Sequence, residues 1–442
     1  MQSIIQGQPR PKIDDAGALA PLILAGSLVL IAVAAIAAIR DVPRHAELAI
    51  GAYTLLTVAA IVAGGLFWDR DDARALIVLC LVAFGARLLL LEKTPFLSTD
   101  AYRYLWEGRV LLHGIDPYLV APNAPQLHFL RLDWLYHNVD ADWRSMPSLY
   151  PPLALALFAV SATFSQADLT VTKILMELGD VITLVLVLQL LREHGLPRGR
   201  AVLYAWSPLV LIEFAWSAHL EAWCLAALAF ALLMYKRHRI VSAALGLAAA
   251  VLIKLYPAAA IPLFFPRRPW QFSLSVVAAV ACGYAPFVLW NANALGFLPQ
   301  FAAHYHFNQS LHAVLAPPMV AALFGLTVCA LVWARRMGLG LVEALIVLIS
   351  AYFLVSPAVH PWYLTVFAVL LPLLRNPFEG ALAPFFQGVQ LWLLVGVLGY
   401  AAEAVPAARV VEYAPVFIGA LGSVLHIAVT RTSLRGAWLK SA

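Results

Sequence analysis

Apolar residues run along this chain in blocks long enough to cross a bilayer, separated by short polar or basic turns. A spanning helix needs roughly 20 predominantly apolar residues. On that measure the pattern predicts helices over 21–39, 47–67, 74–91, 169–191, 200–217, 220–235, 239–255, 271–290, 311–334, 341–357, 361–374, 382–399 and 414–430. Segment 257–265, bounded by Pro257 and Pro266, reads as half of a broken helix or a thin span. The short alternating segments of a membrane β-barrel are missing from the sequence. The pattern therefore predicts an all-α polytopic membrane protein, one transmembrane domain over 1–442 with about 12–14 transmembrane helices.

Composition agrees. Of 442 residues, 63% are hydrophobic and only 12% charged, and mean hydropathy is +0.84. Soluble domains carry about 25% charged residues. The net charge of +5 sits in short loops, as charge that sets topology, and not in a nucleic-acid footprint. Cys80, Cys224, Cys282 and Cys329 lie inside apolar runs without metal spacing, so they read as buried structural residues. The polar start, with Arg10, Lys12, Asp14 and Asp15, leads into a first helix read as uncleaved.

Basic clusters orient the helices. Arg192/Arg198/Arg200, Lys236/Arg237/Arg239, Arg267/Arg268, Arg335/Arg336 and Arg431/Arg435/Lys440 are expected in the cytoplasm. The loops around His219, 291–310, 356–362 and 400–413 then lie outside. Residues 150–165 read as a segment lying along the membrane, which puts the long loop 92–149 outside as well. Arg40 and Arg44 fall outside against the charge rule. The region 92–168 is expected to be an extracytoplasmic loop holding amphipathic juxtamembrane helices, because it is rich in Trp, Tyr, Leu and Pro.

The chemistry concentrates in that loop and in later breaks of the apolar pattern. In STDAYRYLWEGRVLLHGIDPY, Asp100 follows a hydrophobic helix at the expected water interface, with Arg103 and Glu107 at helical spacing. A carboxylate there can serve as general base toward a hydroxyl, and Arg103 and Arg109 can bind a phosphate. An ordinary solvated helix with local ion pairs fits the spacing equally well. WSAHLEAW places His219 and Glu221 at the outer start of a hydrophobic helix. Lys254 interrupts an apolar run beside Tyr256 and Pro257, as a phosphate-binding cation or as a lysine reaching the interface. HYHFNQSLH offers His304, His306, Asn308 and His312, and SPAVHPWY offers His360, Trp362 and Tyr363. The histidines suit metal, phosphate or sugar hydroxyls, and the aromatics equally suit an interfacial belt. Asp180, mid-helix, is expected to face the bundle interior and pair with a group such as Lys173. A carboxylate, cations and aromatics on one membrane face suit an anionic lipid with a polar head. No P-loop, dinucleotide fingerprint or metalloprotease helix occurs.

These motifs, with YPPL from Tyr150 to Leu153, WSPLVLIEFAWSAHLEA and KLYP, resemble bacterial members of the glycosyltransferase C (GT-C) superfamily. The closest group is the polyprenyl-phosphate-mannose-dependent mannosyltransferase-like proteins, over about residues 95–365, and the three N-terminal helices are an addition. The resemblance implies a GT-C-like helical bundle in a bacterial inner membrane, with its active site facing the periplasm or exterior. It implies a polyprenyl-phosphate sugar donor and a lipid or glycan acceptor. It also implies a hexosyl transfer, of mannose or a relative, that inverts the anomeric carbon in one displacement. Asp100 matches the family's base. Lys254, Arg103 and Arg109 are then candidates for the donor phosphate. Glu107, His219, Glu221, Tyr256, His304, His306, Asn308, His360, Trp362 and Tyr363 are candidates for substrate contact. Glu221 stands where relatives commonly have Asp, and the second acid of the loop falls to Glu107 or Asp116. No cofactor is required, although a divalent cation is compatible, and no metal ligands are assigned. Two rivals stay open: a transporter or lipid flippase, and a polymerase or ligase using lipid-linked oligosaccharide.

Overall fold

The computed structural model describes residues 19–441 apart from Arg40, Pro43, Gln166, 265–268 and Ala292, and gives backbone alone beyond residue 430. The N-terminal charges, Arg40, Arg267, Arg268 and the side chains of Arg431, Arg435 and Lys440 lie outside what is described. Among the described residues the chain is helical, and the lone β-bridge joins Phe307 to Ala358.

Among the described residues eight helices are long and apolar enough to cross a membrane, or nine if the bent pair Pro208–Trp216 with Glu221–Lys236 is one span. The chain is thus a multi-pass integral membrane protein. Of the about 12–14 transmembrane helices expected, eight or nine among the described residues are long and apolar enough on this measure. The remaining apolar runs form shorter helices, Ile240–Ile253, Leu341–Val355 and Pro361–Leu373, or the 3-10 segment Tyr256–Leu263. Prolines account for part of this: Pro208, Pro257, Pro262 and Pro361 each start or interrupt a segment.

Helices α1 (Ala20–Ala38), α2 (Ala46–Phe67) and α3 (Ala73–Leu91) pack on one another. The loop then gives α4 (Asp100–Leu112), which rests on α5 (Pro152–Phe164). The two approach so closely at Gly108 that an added Cβ would meet the Phe158 carbonyl oxygen at 2.0 Å. Thirteen residues of α5 measure about 20 Å, short of a hydrocarbon core of about 30 Å.

Helix α6 (Thr170–Glu193) carries a buried polar network. Asp180 does not pair with Lys173, as the sequence suggests. Arg87 on α3 donates Nε to it at 2.5 Å, and Tyr204 donates its hydroxyl at 2.5 Å. Lys173 instead donates to the carbonyls of Leu90 and Lys93, capping the end of α3. Helices α7 (Glu221–Lys236) and α8 (Ile240–Ile253) follow as an antiparallel pair, and α9 (Pro269–Asn291) returns toward the loop. There Asn291 donates to Asp116 at 3.0 Å. Gly296, at φ +52°, lies so close to Ser148 that only glycine fits.

The contacts sort the ends of the bundle. Lys173 at the start of α6 meets the end of α3, beside α4. At the far ends, Arg198 bonds Asp71, Arg237 bonds Glu193 and Arg200 bonds the Leu374 carbonyl. The basic turns 192–200 and 236–239 therefore sit together, a bundle's length from Asp100.

Candidate active site

Asp100 opens α4 at a place where several other elements also bring polar side chains. The result is a cavity of about 350 Å³ lined by Asp100, Arg103, Lys254, His360, Trp362 and Tyr363, together with Trp143, Tyr150, Tyr305 and Tyr400. Loop 92–149 supplies one wall, the tip of α8 a second, and residues 301–307 and 360–363 a third.

Asp100 opens α4, and 34% of its side chain faces the cavity. Tyr104, one turn on, points its hydroxyl at Oδ2 from 3.4 Å. Protein surrounds the carboxyl on every other side. That burial raises its pKa from 3.8 to about 6, against the opposing pull of Lys254. A carboxylate so placed is half-poised to take a proton near neutral pH.

Lys254 ends α8 with extended backbone and reaches back to Glu221 at the start of α7, Nζ to Oε1 2.6 Å. The ammonium lies 4.9 Å from the centre of the Tyr363 ring, and 17% of the side chain is exposed. Glu221 takes one of its three protons, leaving the others for a ligand in the cavity.

Arg103 also lines the cavity, with three of its five N–H donors already committed. Nε meets Glu107 at 2.5 Å, and the terminal nitrogens donate to the carbonyls of Trp143 at 2.6 Å and Met146 at 2.7 Å. Its visible work is to hold residues 143–146 as a wall, and Glu107, 2% exposed, is its counter-ion. Arg109 turns away from the cavity toward the Leu130 carbonyl.

The third wall is a stack of rings. His219 lies 3.8 Å from Trp362, Trp362 4.2 Å from His360, and His360 4.3 Å from Phe307. Tyr305 approaches His360 Nε2 to 3.3 Å. Burial, with Lys254 nearby, pushes His360 down to about 3, so its imidazole is neutral at physiological pH. Trp362 Nε1 is buried with no hydrogen-bond partner in the protein. The ordered wall rests on Asn308, whose side chain bonds Glu412 at 2.8 Å and whose carbonyl accepts from Tyr413 at 2.8 Å.

The structure thus brings Asp100, Arg103, Lys254, His360, Trp362 and Tyr363 to the cavity. His219 and Glu221 stand directly behind it, fully buried. Glu107 and Asn308 act as supports. Tyr256 lies behind α8, its hydroxyl 3.9 Å from Cys224 Sγ. His304 and His306 are exposed, and His304 turns to the Gln300 carbonyl. Asp116 accepts from the Tyr118 amide and from Asn291 and so fixes a turn. Among the described residues no three His, Cys, Asp or Glu side chains gather as a metal site. Tyr305, Tyr400, Trp143 and Glu213 escape the sequence reading. Only Glu213, a lone acid inside WSPLVLIEFAWS, left a signal there.

Residues 29–266 match the family described as alpha-(1->6)-mannopyranosyltransferase, N-terminal domain. Alpha-(1->6)-mannopyranosyltransferase A of Corynebacterium glutamicum is 26% identical over 206 residues, which cover 44% of this chain and 39% of that protein. The family match includes Asp100, His219, Glu221 and Lys254 and stops before the ring-lined wall of 301–363.

Proposed function

The chain belongs to the alpha-(1->6)-mannopyranosyltransferase family, and from that premise we propose that it is a membrane mannosyltransferase fed by a polyprenyl-phosphate donor. The acceptor is a hydroxyl of a lipid or glycan. Asp100 takes the acceptor proton while the acceptor oxygen attacks the anomeric carbon. The bond from that carbon to the phosphate oxygen breaks, and its electron pair leaves with the polyprenyl phosphate. Lys254 meets the growing charge on that phosphate. A phosphate leaves readily, so no strong acid is needed, and the step uses only the chain's own side chains. Inversion at carbon makes an α product from a β-linked donor.

The observation that carries this reading is the convergence of one half-poised carboxylate and one partly free ammonium on a single cavity. Trp362, His360 and Tyr363 line the cavity that would receive the sugar and give it an aromatic wall. The basic turns at the opposite end support an extracytoplasmic site, because such turns stay in the cytoplasm. Family membership favours transfer over transport. The test is a panel of labelled polyprenyl-phosphate sugars given to the purified protein with a membrane lipid extract. The mannosyl donor should label a product and release polyprenyl phosphate. Labelling only from oligosaccharide donors, or from none, would remove the proposal.

A further inference from the structure

Glu213 is a buried acid that the proposed transfer leaves unused. It sits in the π-helical turn Leu211–Trp216 and is wholly enclosed. Such turns occur often at functional sites. Its Oε2 accepts the Tyr400 hydroxyl at 2.8 Å and lies 3.2 Å from His219 Nε2. Across the same ring, Nδ1 lies 3.8 Å from Asp100 Oδ2. The imidazole therefore stands between two carboxyl groups, one facing the cavity and one behind it.

The ring has little freedom. It is fully buried, it stacks on Trp362, and the His219 amide donates to the Glu213 carbonyl at 2.9 Å. Ala218, just before it, has φ +58°, a left-handed conformation that a residue with a Cβ adopts rarely and at a cost. With the ring fixed, what remains open is which nitrogen carries the proton.

Glu213 decides that. Among the described residues its only ion-pair contact is His219, with no Lys or Arg in reach. A carboxyl buried without a cation holds its proton. A neutral Glu213 donates to Nε2, and the imidazole then carries its own proton on Nδ1, the nitrogen that faces Asp100. We propose that Glu213 is a positioning residue: as a neutral acid it sets the tautomer of His219, so that Nδ1–H is aimed at the Asp100 carboxylate and holds it as the base. The inference deepens the reading above and rests on Asp100 being that base.

The donors then run one way, from Tyr400 to Glu213, to His219, to Asp100, and each polarises the next. Neither ring nitrogen completes a well-directed hydrogen bond in this state. Such bonds commonly tighten when the reacting groups are in place. A donor on Asp100 favours its charged form and opposes the burial that raises it. The other charged or titratable groups facing Asp100 are Arg103 and Tyr104 on its own helix, Tyr150, Glu221 and Lys254 behind it, and Tyr305 and Tyr363 on the outer wall.

Two substitutions in the full-length protein separate this role from simple packing. In Glu213→Gln the amide N–H donates to Nε2 as the neutral acid does. Glu213→Leu keeps the bulk and loses the donor. With ¹⁵N-labelled histidine, and the His219 signal identified by its loss in His219→Asn, the wild type and Glu213→Gln should both show the Nδ1–H tautomer. Glu213→Leu, with only the Asp100 carboxylate left to favour that tautomer, should show a mixture of the two. In transfer assays Glu213→Leu should lose about tenfold to a hundredfold in kcat with KM little changed. The acid limb of its kcat/KM profile should move to higher pH, because Asp100 has lost a donor to its charged form. Glu213→Gln should restore both. An Nε2–H tautomer in the wild type, or a Glu213→Gln protein as impaired as Glu213→Leu, would overturn the inference. If Glu213→Leu does not fold, the spectrum and pH profile of Glu213→Gln still decide. If the wild type uses no polyprenyl-phosphate sugar, the proposed function fails and the tautomer alone judges Glu213.

Discussion

Lys254→Met separates the structural work of the lysine from its chemical work. Its ammonium stands 2.6 Å from Glu221 Oε1, and the two side chains are 17% and 1% exposed. At an effective dielectric near 20, that separation gives a Coulomb attraction of about 6 kcal/mol before the cost of removing both groups from water. Desolvation offsets most of it, and a buried pair can be worth little net. Removing one partner is different, because it strands the other. Lys254→Met leaves Glu221 enclosed without its cation, and should destabilise the protein by about 3–5 kcal/mol. Glu221→Gln should cost less, because Lys254 keeps contact with water in the cavity. The double variant should recover at least half of the Lys254→Met loss. Equilibrium unfolding in mixed micelles of a mild detergent and dodecyl sulfate measures all four proteins as a double-mutant cycle. In a parallel transfer assay, Lys254→Met and the double variant should both lose most activity, since neither offers the Lys254 ammonium to the leaving phosphate. Additive stabilities, or a double variant that transfers sugar at the wild-type rate, would refute the reasoning.

Further outcomes follow from the same geometry. With Asp100 titrating near 6, its base form is lost as pH falls, so kcat/KM should drop about tenfold for each unit below that point, roughly two units earlier than for an ordinary aspartate; a pH–rate profile flat to pH 5 would contradict this. Arg103→Lys should lower activity by loosening residues 143–146, because an ammonium cannot hold Glu107 and two carbonyls in one fork, while Arg109→Lys should be nearly silent; initial rates of the two variants decide. Gly108→Ala should reduce the yield of folded protein, because its Cβ would overlap the Phe158 carbonyl of α5; monodispersity on gel filtration reports it.

Much of this was legible in the sequence, for a physical reason. An ionisable group inside or beside an apolar run is costly and stands out, so Asp100, His219, Glu221, Lys254 and His360 were visible as breaks in a pattern. Helix positions were visible too, because the bilayer demands long apolar runs. What the sequence hides is where long side chains find distant partners. Arg103 reads as a free cation because its carbonyl partners lie 40 and 43 residues away, on a loop that folds back. Asp180 finds its partner in Arg87 on α3, 93 residues away in the chain, and not in nearby Lys173. Arg109 was decidable: nine residues after Asp100, it points about 180° away on an ideal helix. Tyr305 and Tyr400 carried no signal, since a tyrosine near a membrane surface is ordinary.

The account stands most directly on Asp100 as the base. General-base assistance is worth roughly 10²–10⁴-fold. The deciding measurement is kcat for the purified wild type and Asp100→Asn, given saturating mannosyl polyprenyl phosphate and an accepted acceptor. Asparagine matches the carboxylate in shape but cannot take the acceptor proton. A folded Asp100→Asn protein should transfer at least a hundredfold more slowly with donor binding retained. A variant that turns over at the wild-type rate would contradict the account.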